Sequence, residues 1–293
     1  MTAQTKHQVK VVKKNKDMNQ LSATSNVILN IVFILAVIIT VAPIWVIIMA
    51  SFTSEKALQT YGYGFWPQEW STYAYTFLFS KGSIIGTAYK NTIIATVVGT
   101  ILCVISVGLY AYPISRKDFR WRNVFTFISF FTMLFNAGTV PFYVTCRQIL
   151  GIGNSVLALF LPMSFSAYWV IIMRTFYQSN VPDSIIESAR IDGAGEVRTF
   201  TSIVFPMIKP GVGALAIFTF ITAWNDYFLQ LIMLNDMDVL TISLGIAKLQ
   251  SELSTDYGLI MAGAALGAIP IIIIFLIFQK FFTRGITMGA VKG

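Results

Sequence analysis

VPDSIIESARIDGAGEVRTFTSIVFPMIKP, residues 181–210, is a charged island set between long apolar runs. It still carries a helical pattern. Asp183 or Ser184 is placed to cap a helix on which Ile185, Ile186 and Ala189 fall on one side and Glu187 and Arg190 on another. Asp192-Gly193 supplies the stop, because glycine enters the left-handed backbone region without a Cβ clash. A second short helix follows, with Val197, Phe200 and Ile203/Val204 at helical spacing, and Pro206 and Pro210 end it. The expected product is a bent pair of amphipathic helices over about 183–204, between two membrane spans. Spacing alone leaves two readings open: a hairpin lying among lipid headgroups, or a knuckle that fills a groove on a soluble partner.

The composition supports the membrane setting. With 56% hydrophobic and 12% charged residues and a mean hydropathy of +0.70, the chain is too apolar for a soluble globule. The only histidine is His7, and Cys103 and Cys146 have no metal-type spacing, so a zinc site or a histidine-based triad is excluded and a structural disulfide is not expected.

Six spans are expected in an all-α polytopic fold, at about 27–50, 89–112, 124–144, 155–176, 211–234 and 258–282. Residues 1–26 read as a cytoplasmic tail and 27–293 as one transmembrane domain. The first apolar run, as a helix of about 36 Å, exceeds a hydrocarbon layer of ~30 Å and has no convincing cleavage site after it, so it reads as a retained span. Two features interrupt the pattern. The loop 52–88 is rich in aromatic rings (Tyr61, Phe65, Trp66, Trp70), as an interfacial belt or as a contact surface for an extracytoplasmic partner. The third span contains the break Asn136–Pro141, tolerable at membrane depth only against protein or a cavity.

Sixteen of the 21 Lys and Arg residues fall in the N-terminal tail, the loop after the second span, the central island with Arg174, and the C-terminus; Lys56, Lys81, Lys90, Arg147 and Lys248 fall on the other side. The positive-inside rule then puts both termini and the island in the cytoplasm. The net charge of +8 is thereby explained as topology, without nucleic acid.

No phosphate-binding loop, metal constellation or nucleophile–base set occurs in the sequence, and the chain is not expected to be an enzyme. The spans offer few ionisable groups, so the driving force is expected from another chain. The exception is Asp226 in AWNDYF (223–228). Either its carboxylate is a hydrogen-bonded structural group against a partner subunit, or it belongs to the wall of a translocation path, where Trp224 and Tyr227 stack on a sugar face and Asn225 or Asp226 bonds its hydroxyls.

The run ESARIDG (187–193), continuing to IVFP (203–206), resembles the E-A-A…G…I-x-L-P loop by which ABC-importer permeases dock into their ATPase subunit, with Ser188 in place of the first Ala. YKNTI at 89, AYPISR at 111, MLFNAGTVP at 133, AWNDY at 223 and the ending GITMGAVKG (285–293) extend the likeness over most of 27–293. The chain resembles the maltose-type (MalG-like) permeases of carbohydrate ABC importers, and within them the LplC/YtcP-like branch. Asn136-Ala137-Gly138 departs from the Gly pair common there.

The resemblance implies a type I importer fold in the bacterial cytoplasmic (inner) membrane. It implies a second homologous permease, two ATPase subunits that hold ATP and Mg, an extracytoplasmic solute-binding protein and an oligosaccharide substrate; this chain itself binds no cofactor. It assigns Glu187, Ala189 and Gly193 to the docking loop, with Asp192 as the helix-ending neighbour, and gives the C-terminal tail a reach to the ATPase interface. The competing reading is a single-chain secondary carrier or facilitator, which needs intramembrane charge pairs or an inverted repeat.

Overall fold

The computed structural model describes residues 22–80, 84–252 and 256–290, with the backbone alone at 84, 249, 252 and 280–290. Most of the expected basic tail and the last three residues of the glycine-rich ending lie outside the described residues. The chain divides into two compact units, residues 1–46 and 47–293. Apart from Ser22, the described part of the first belongs to one helix, α1 (Ala23–Ser51), which carries no charged residue. Its 29 residues reach about 43 Å at ~1.5 Å each, longer than a hydrocarbon layer.

In the second unit, α2 (Glu55–Tyr61) and α3 (Tyr73–Leu78) lie in the aromatic loop, and α4 (Ile84–Ser115) follows. Then come α5 (Arg122–Leu134), α6 (Thr139–Val144) running into a π turn Thr145–Ile149, α7 (Val156–Phe160) and α8 (Ala167–Asn180). The charged island forms α9 (Asp183–Ile191), α10 (Glu196–Arg198) and a π segment Thr199–Val204. Last are α11 (Phe205–Trp224), α12 (Phe228–Met233), α13 (Ile242–Glu252) and α14 (Tyr257–Ala290).

α4 is the post of this unit. Cys103, Val107, Ala111 and Ile114 recur every three or four residues, so they share one helix face, and all are buried. Val170, Met173 and Tyr177 of α8 and Ile208 and Leu215 of α11 close over that face. The Tyr177 hydroxyl, deep in this core, donates to Gly108 O at 3.2 Å and so keeps its polar tip satisfied. Ile186 of α9 and Val204 enter the same cluster, which fastens the charged island to the helices.

One proline in a long helix leaves a carbonyl that a neighbouring side chain satisfies. Pro270 lies inside α14 and has no N–H for the carbonyl four residues earlier, Leu266 O. Tyr89 of α4 donates its hydroxyl to Leu266 O, and Trp224 Nε1 of α11 donates to Gly267 O at 3.0 Å. The carbonyls beside this one proline thus join three helices, α4, α11 and α14.

Several expected boundaries are corrected. The second span does not stop at Pro113: α4 continues to Ser115. The expected third span is two helices, α5 and the stretch Thr139–Ile149, bent by 112°. Asn136 Oδ1 accepts from Gly138 N–H at 2.9 Å and closes a turn there, which is why the helix cannot run through. The fourth is likewise divided, into α7 and α8, with Ser166 accepting from Trp169 N–H to start α8. The fifth begins earlier and ends sooner, because the helix is continuous over Glu196–Trp224 and then breaks at Asn225–Tyr227 before α12. The last helix runs from Tyr257 to Ala290, past the expected end at 282.

The second short helix of the island is also corrected, since Pro206 and Pro210 do not end it. The π segment hands Phe205 N–H to Phe200 O and brings the chain to Pro206 in the first turn of α11, where a missing N–H costs least. The island is therefore one short helix, a turn, and the root of a membrane-length helix.

At Gly211 α11 packs tightly against α8: a Cβ there would sit 2.6 Å from Phe176 Cδ1. Gly211→Leu is expected to destabilise the protein by about 1–3 kcal/mol through overpacking, read as a lower unfolding midpoint in detergent. Gly86→Leu on α4, where a Cβ meets nothing within 4 Å, is the control and is expected to leave the midpoint unchanged or raise it.

Candidate functional site

The knuckle is built from α9 outward. Its N-cap is Pro182, not Asp183 or Ser184, and no side-chain cap forms. The Asp183 carboxylate is drawn away by two cations from the loop after α4, Arg116 Nη1 at 3.0 Å and Lys117 Nζ at 3.1 Å. In the first turn its charge also suits the positive end of the helix dipole. The C-terminal end closes as a Schellman motif: Gly193 N–H bonds to Arg190 O at 3.0 Å and Ala194 N–H to Ala189 O at 2.9 Å. Gly193 has φ +77°, in the left-handed region where a side chain is strained, although open space surrounds it.

Arg190 then ties both limbs of the knuckle to the α4–α5 corner. Its Nη1 lies 2.7 Å from Asp118 Oδ2 and its Nη2 lies 2.7 Å from Glu196 Oε1. With Arg116 3.7 Å from Asp118, an alternating chain of charge runs Lys117, Asp183, Arg116, Asp118, Arg190, Glu196. The hydrogen bonds that Arg190 donates to Glu196 and then to Asp118 raise its pKa above the ordinary value. Burial works to raise the Asp118 carboxyl, but the Arg190 hydrogen bond, its own backbone N–H and the Arg190 and Arg116 charges outweigh it and hold the group below its ordinary range. The network binds the knuckle to the α4 end as well as to the root of α11.

The expected docking residues separate on this scaffold. Glu187, Asp192 and Gly193 are exposed, whereas Ala189 is only 4% exposed and packs inward beside Ile186. Ala189 thus lies on the apolar face on which the sequence placed it with Ile186, where a small residue lets α9 sit close to the core. The sequence reading missed Ile191, 86% exposed, whose signal was an apolar residue off the buried face of α9; Val197, read on one face with Phe200 and Val204, is 79% exposed and does not join them in the core. The carboxylate and guanidinium partners at 116–118 had no such signal, because the pairing crosses more than sixty residues of chain.

The second expected set, Trp224 to Tyr227, lies at the break after α11. Trp224 is 4% exposed, stacked on Phe220 at 5.8 Å and edge-on to Tyr89. Its ring belongs to the helix seam and has no free face for a sugar, which corrects its expected stacking role. Asn225 and Tyr227 are exposed. Asp226 is half-buried; its carboxylate receives the Leu229 N–H, and Oδ2 is enclosed without a hydrogen-bond partner among the described residues. Two cavities flank this break. One of about 270 Å³ lies between Trp224, Asn225, α13 and α14, and one of about 230 Å³ joins Asn136, Gly138 and Phe142 to Phe228, Leu229 and Ile232 of α12. The break in the third apolar stretch and the break after α11 are thus brought to one place.

A model of the family described as binding-protein-dependent transport system inner membrane component matches residues 104–288. The polygalacturonan/rhamnogalacturonan transport system permease protein YtcP of Bacillus subtilis (strain 168) is 31% identical over 274 residues, covering 87% of this chain and 94% of that protein. Protein LplC of the same organism is 30% identical over 270 residues, covering 87% and 90%. Among solved structures, a bacterial ABC transporter involved in the import of the acidic polysaccharide alginate contains a chain that matches with a TM-score of 0.79 at 28% identity, covering 90% of this chain and 99% of that one.

The Asp118 shift fixes the sign of a pH effect. A carboxyl held below its unfolded value stabilises the folded arrangement fully above that value, ~3.9, and loses the contribution as pH falls through the lowered folded value. Amide exchange across 183–198, corrected for intrinsic rates, is expected to quicken in that acidic window. Arg190→Gln is expected to quicken it at neutral pH by roughly two- to five-fold, the scale of partly exposed ion pairs. Unchanged exchange in that variant would show that the network does not hold the knuckle.

Proposed function

This chain belongs to the family of binding-protein-dependent transport system inner membrane components, and on that premise we propose that it is a permease subunit of an ATP-driven sugar importer, with oligosaccharides as cargo. It is multi-pass in the bacterial cytoplasmic membrane, with six crossings and both termini cytoplasmic. α1, α4, the α5–α6 pair, the α7–α8 pair, α11 with α12, and α14 are the crossings. It pairs with a second homologous permease to enclose the pathway. Two ATPase subunits hold the ATP and Mg, and a solute-binding protein delivers sugar from outside. The sugar class rests on the relatives whose names carry it, the polygalacturonan/rhamnogalacturonan permease and the alginate importer.

One observation carries the coupling role: the exposed knuckle is rigidly joined to a membrane-length helix. Ile191 and Val197 offer apolar contacts beside Glu187, Asp192 and Gly193, and an apolar patch on a polar tip suits a groove on a soluble partner. Ile186 and Val204 in the core, and Arg190 between Asp118 and Glu196, keep the tip from moving separately from α4 and α11. When ATP closes the partner dimer, the groove carries the knuckle, α11 turns with it, and the two breaks at the far end of α11 change the pathway. Hydrolysis resets the arrangement. Asn225, Asp226 and Tyr227 form part of that wall, where the Asp226 oxygen that is enclosed without a partner in this arrangement accepts a sugar hydroxyl once the break opens.

Gly193→Val puts a β-branched residue at φ +77° and is expected to reduce uptake tenfold or more, with the protein still in the membrane and ATPase no longer linked to transport. Gly193→Asn, which tolerates that conformation, is expected to keep most activity. Proteoliposomes holding all subunits give both readouts, and normal uptake by the Val variant would sink the docking assignment. For the wall, Asp226→Ala is expected to raise the half-saturating sugar concentration at unchanged assembly. Unaltered transport there would return Asp226 to a structural role.

A further inference from the structure

At the opposite edge of the knuckle from Ile191 lies a cavity of about 390 Å³ between the ends of α4 and α8 and the start of α5. Four cations line it, Arg116, Lys117, Arg122 and Arg174, against one carboxylate, Asp183. That carboxylate is already shared by Arg116 and Lys117. Arg122 and Arg174 are half-buried, and neither has an ion-pair partner among the described residues; Arg174 spends its Nε on Ile114 O at 3.2 Å. Two further polar atoms of lining residues, Tyr112 Oη and Arg116 Nε, are buried without a hydrogen-bond partner. α5 adds the positive end of a 13-residue helix whose N-cap, Trp121, supplies no side-chain acceptor.

Half-buried positive charge without a counter-ion is unfavourable, and orphaned donors beside it make the deficit specific for an acceptor-rich anion. Guanidinium forks match a tetrahedral phosphate in geometry as well as charge. We propose that this cavity binds a phosphate group, supplied by an anionic phospholipid of the cytoplasmic leaflet. Exposed Trp121, at the cavity's edge in sequence, is a residue type that settles at headgroup depth, and basic pockets between helices on that side suit such headgroups. The depth rests on the topology proposed above. A bound phosphate competes with Asp183 for Arg116 and Lys117, so occupancy loosens the first turn of α9, and the charge of the membrane tunes how firmly the knuckle is held.

The test uses the complete importer in nanodiscs of phosphatidylcholine, with or without one-third phosphatidylglycerol, and native mass spectrometry of retained lipid. Wild type is expected to retain phosphatidylglycerol through exchange. Arg122→Gln/Arg174→Gln is expected to lose at least tenfold in retention, and Arg122→Lys/Arg174→Lys to keep most of it. Millimolar inorganic phosphate that displaces the lipid, or that binds when the lipid does not, supports the phosphate site and identifies a free anion as a source. Equal retention by wild type and the Gln variant with no phosphate binding overturns the proposal, as does protection of the cavity by the ATPase subunits alone. Retention is read without sugar or ATP, so a complex that holds the lipid yet moves no sugar refutes the transport reading only.

Discussion

Arg190 sits between two carboxylates that the chain delivers from different directions, Asp118 from the α4–α5 corner and Glu196 from the far limb of its own turn. Without that guanidinium, α9 would be a nine-residue helix held to the molecule by Ile186, Ala189 and the Asp183 pairs. With it, three segments of backbone share one set of charges. Each pair is partly exposed and weak taken singly. The arrangement gains its effect from alternation, because every cation but Lys117 at the end touches two acids, and only the two end groups, Lys117 and Glu196, are ordered for a single partner.

Elsewhere in this unit the helices are interrupted, and at two of the interruptions a side chain answers a backbone group. Pro270 frees a carbonyl that Tyr89 reaches, Trp224 takes the next one, and Asn136 closes the turn where α5 stops. In an apolar layer an unanswered backbone group costs several kcal/mol, so broken helices persist there only where protein or a wet cavity meets them. The two cavities beside Asn225–Tyr227 have that character: both combine amide side chains or bare backbone with apolar walls.

Much of this was legible before any coordinates. Apolar run length gives the long helices, and Asp192-Gly193 gives the turn, because few residue pairs end a helix that way. Asn136–Pro141 announced the bend at α5. Proline misled the reading at 113, 206 and 210, where helices continue: Pro206 follows a π segment and sits at the start of α11, whereas Pro113 and Pro210 lie inside their helices. Trp224 misled it as well, since an aromatic beside Asn and Asp looks like a sugar platform until a stacked Phe220 and a carbonyl on α14 are seen to occupy it. The Arg116–Asp183 and Asp118–Arg190 pairs could not be read at all, because long-range charge pairing leaves no local period.

The π segment Thr199–Val204 sets a phase. A π turn holds one residue more than an α turn, so the side chains downstream are rotated by about 100° from where an unbroken α-helix would send them. In the phase so set, Ile208 and Leu215 share one buried cluster with Val107, Ala111 and Ile114 of α4. Shortening the segment by a single residue would leave every helix capable of forming and would point the buried stripe of α11 elsewhere, much as a gear shifted by one tooth still turns but no longer meshes.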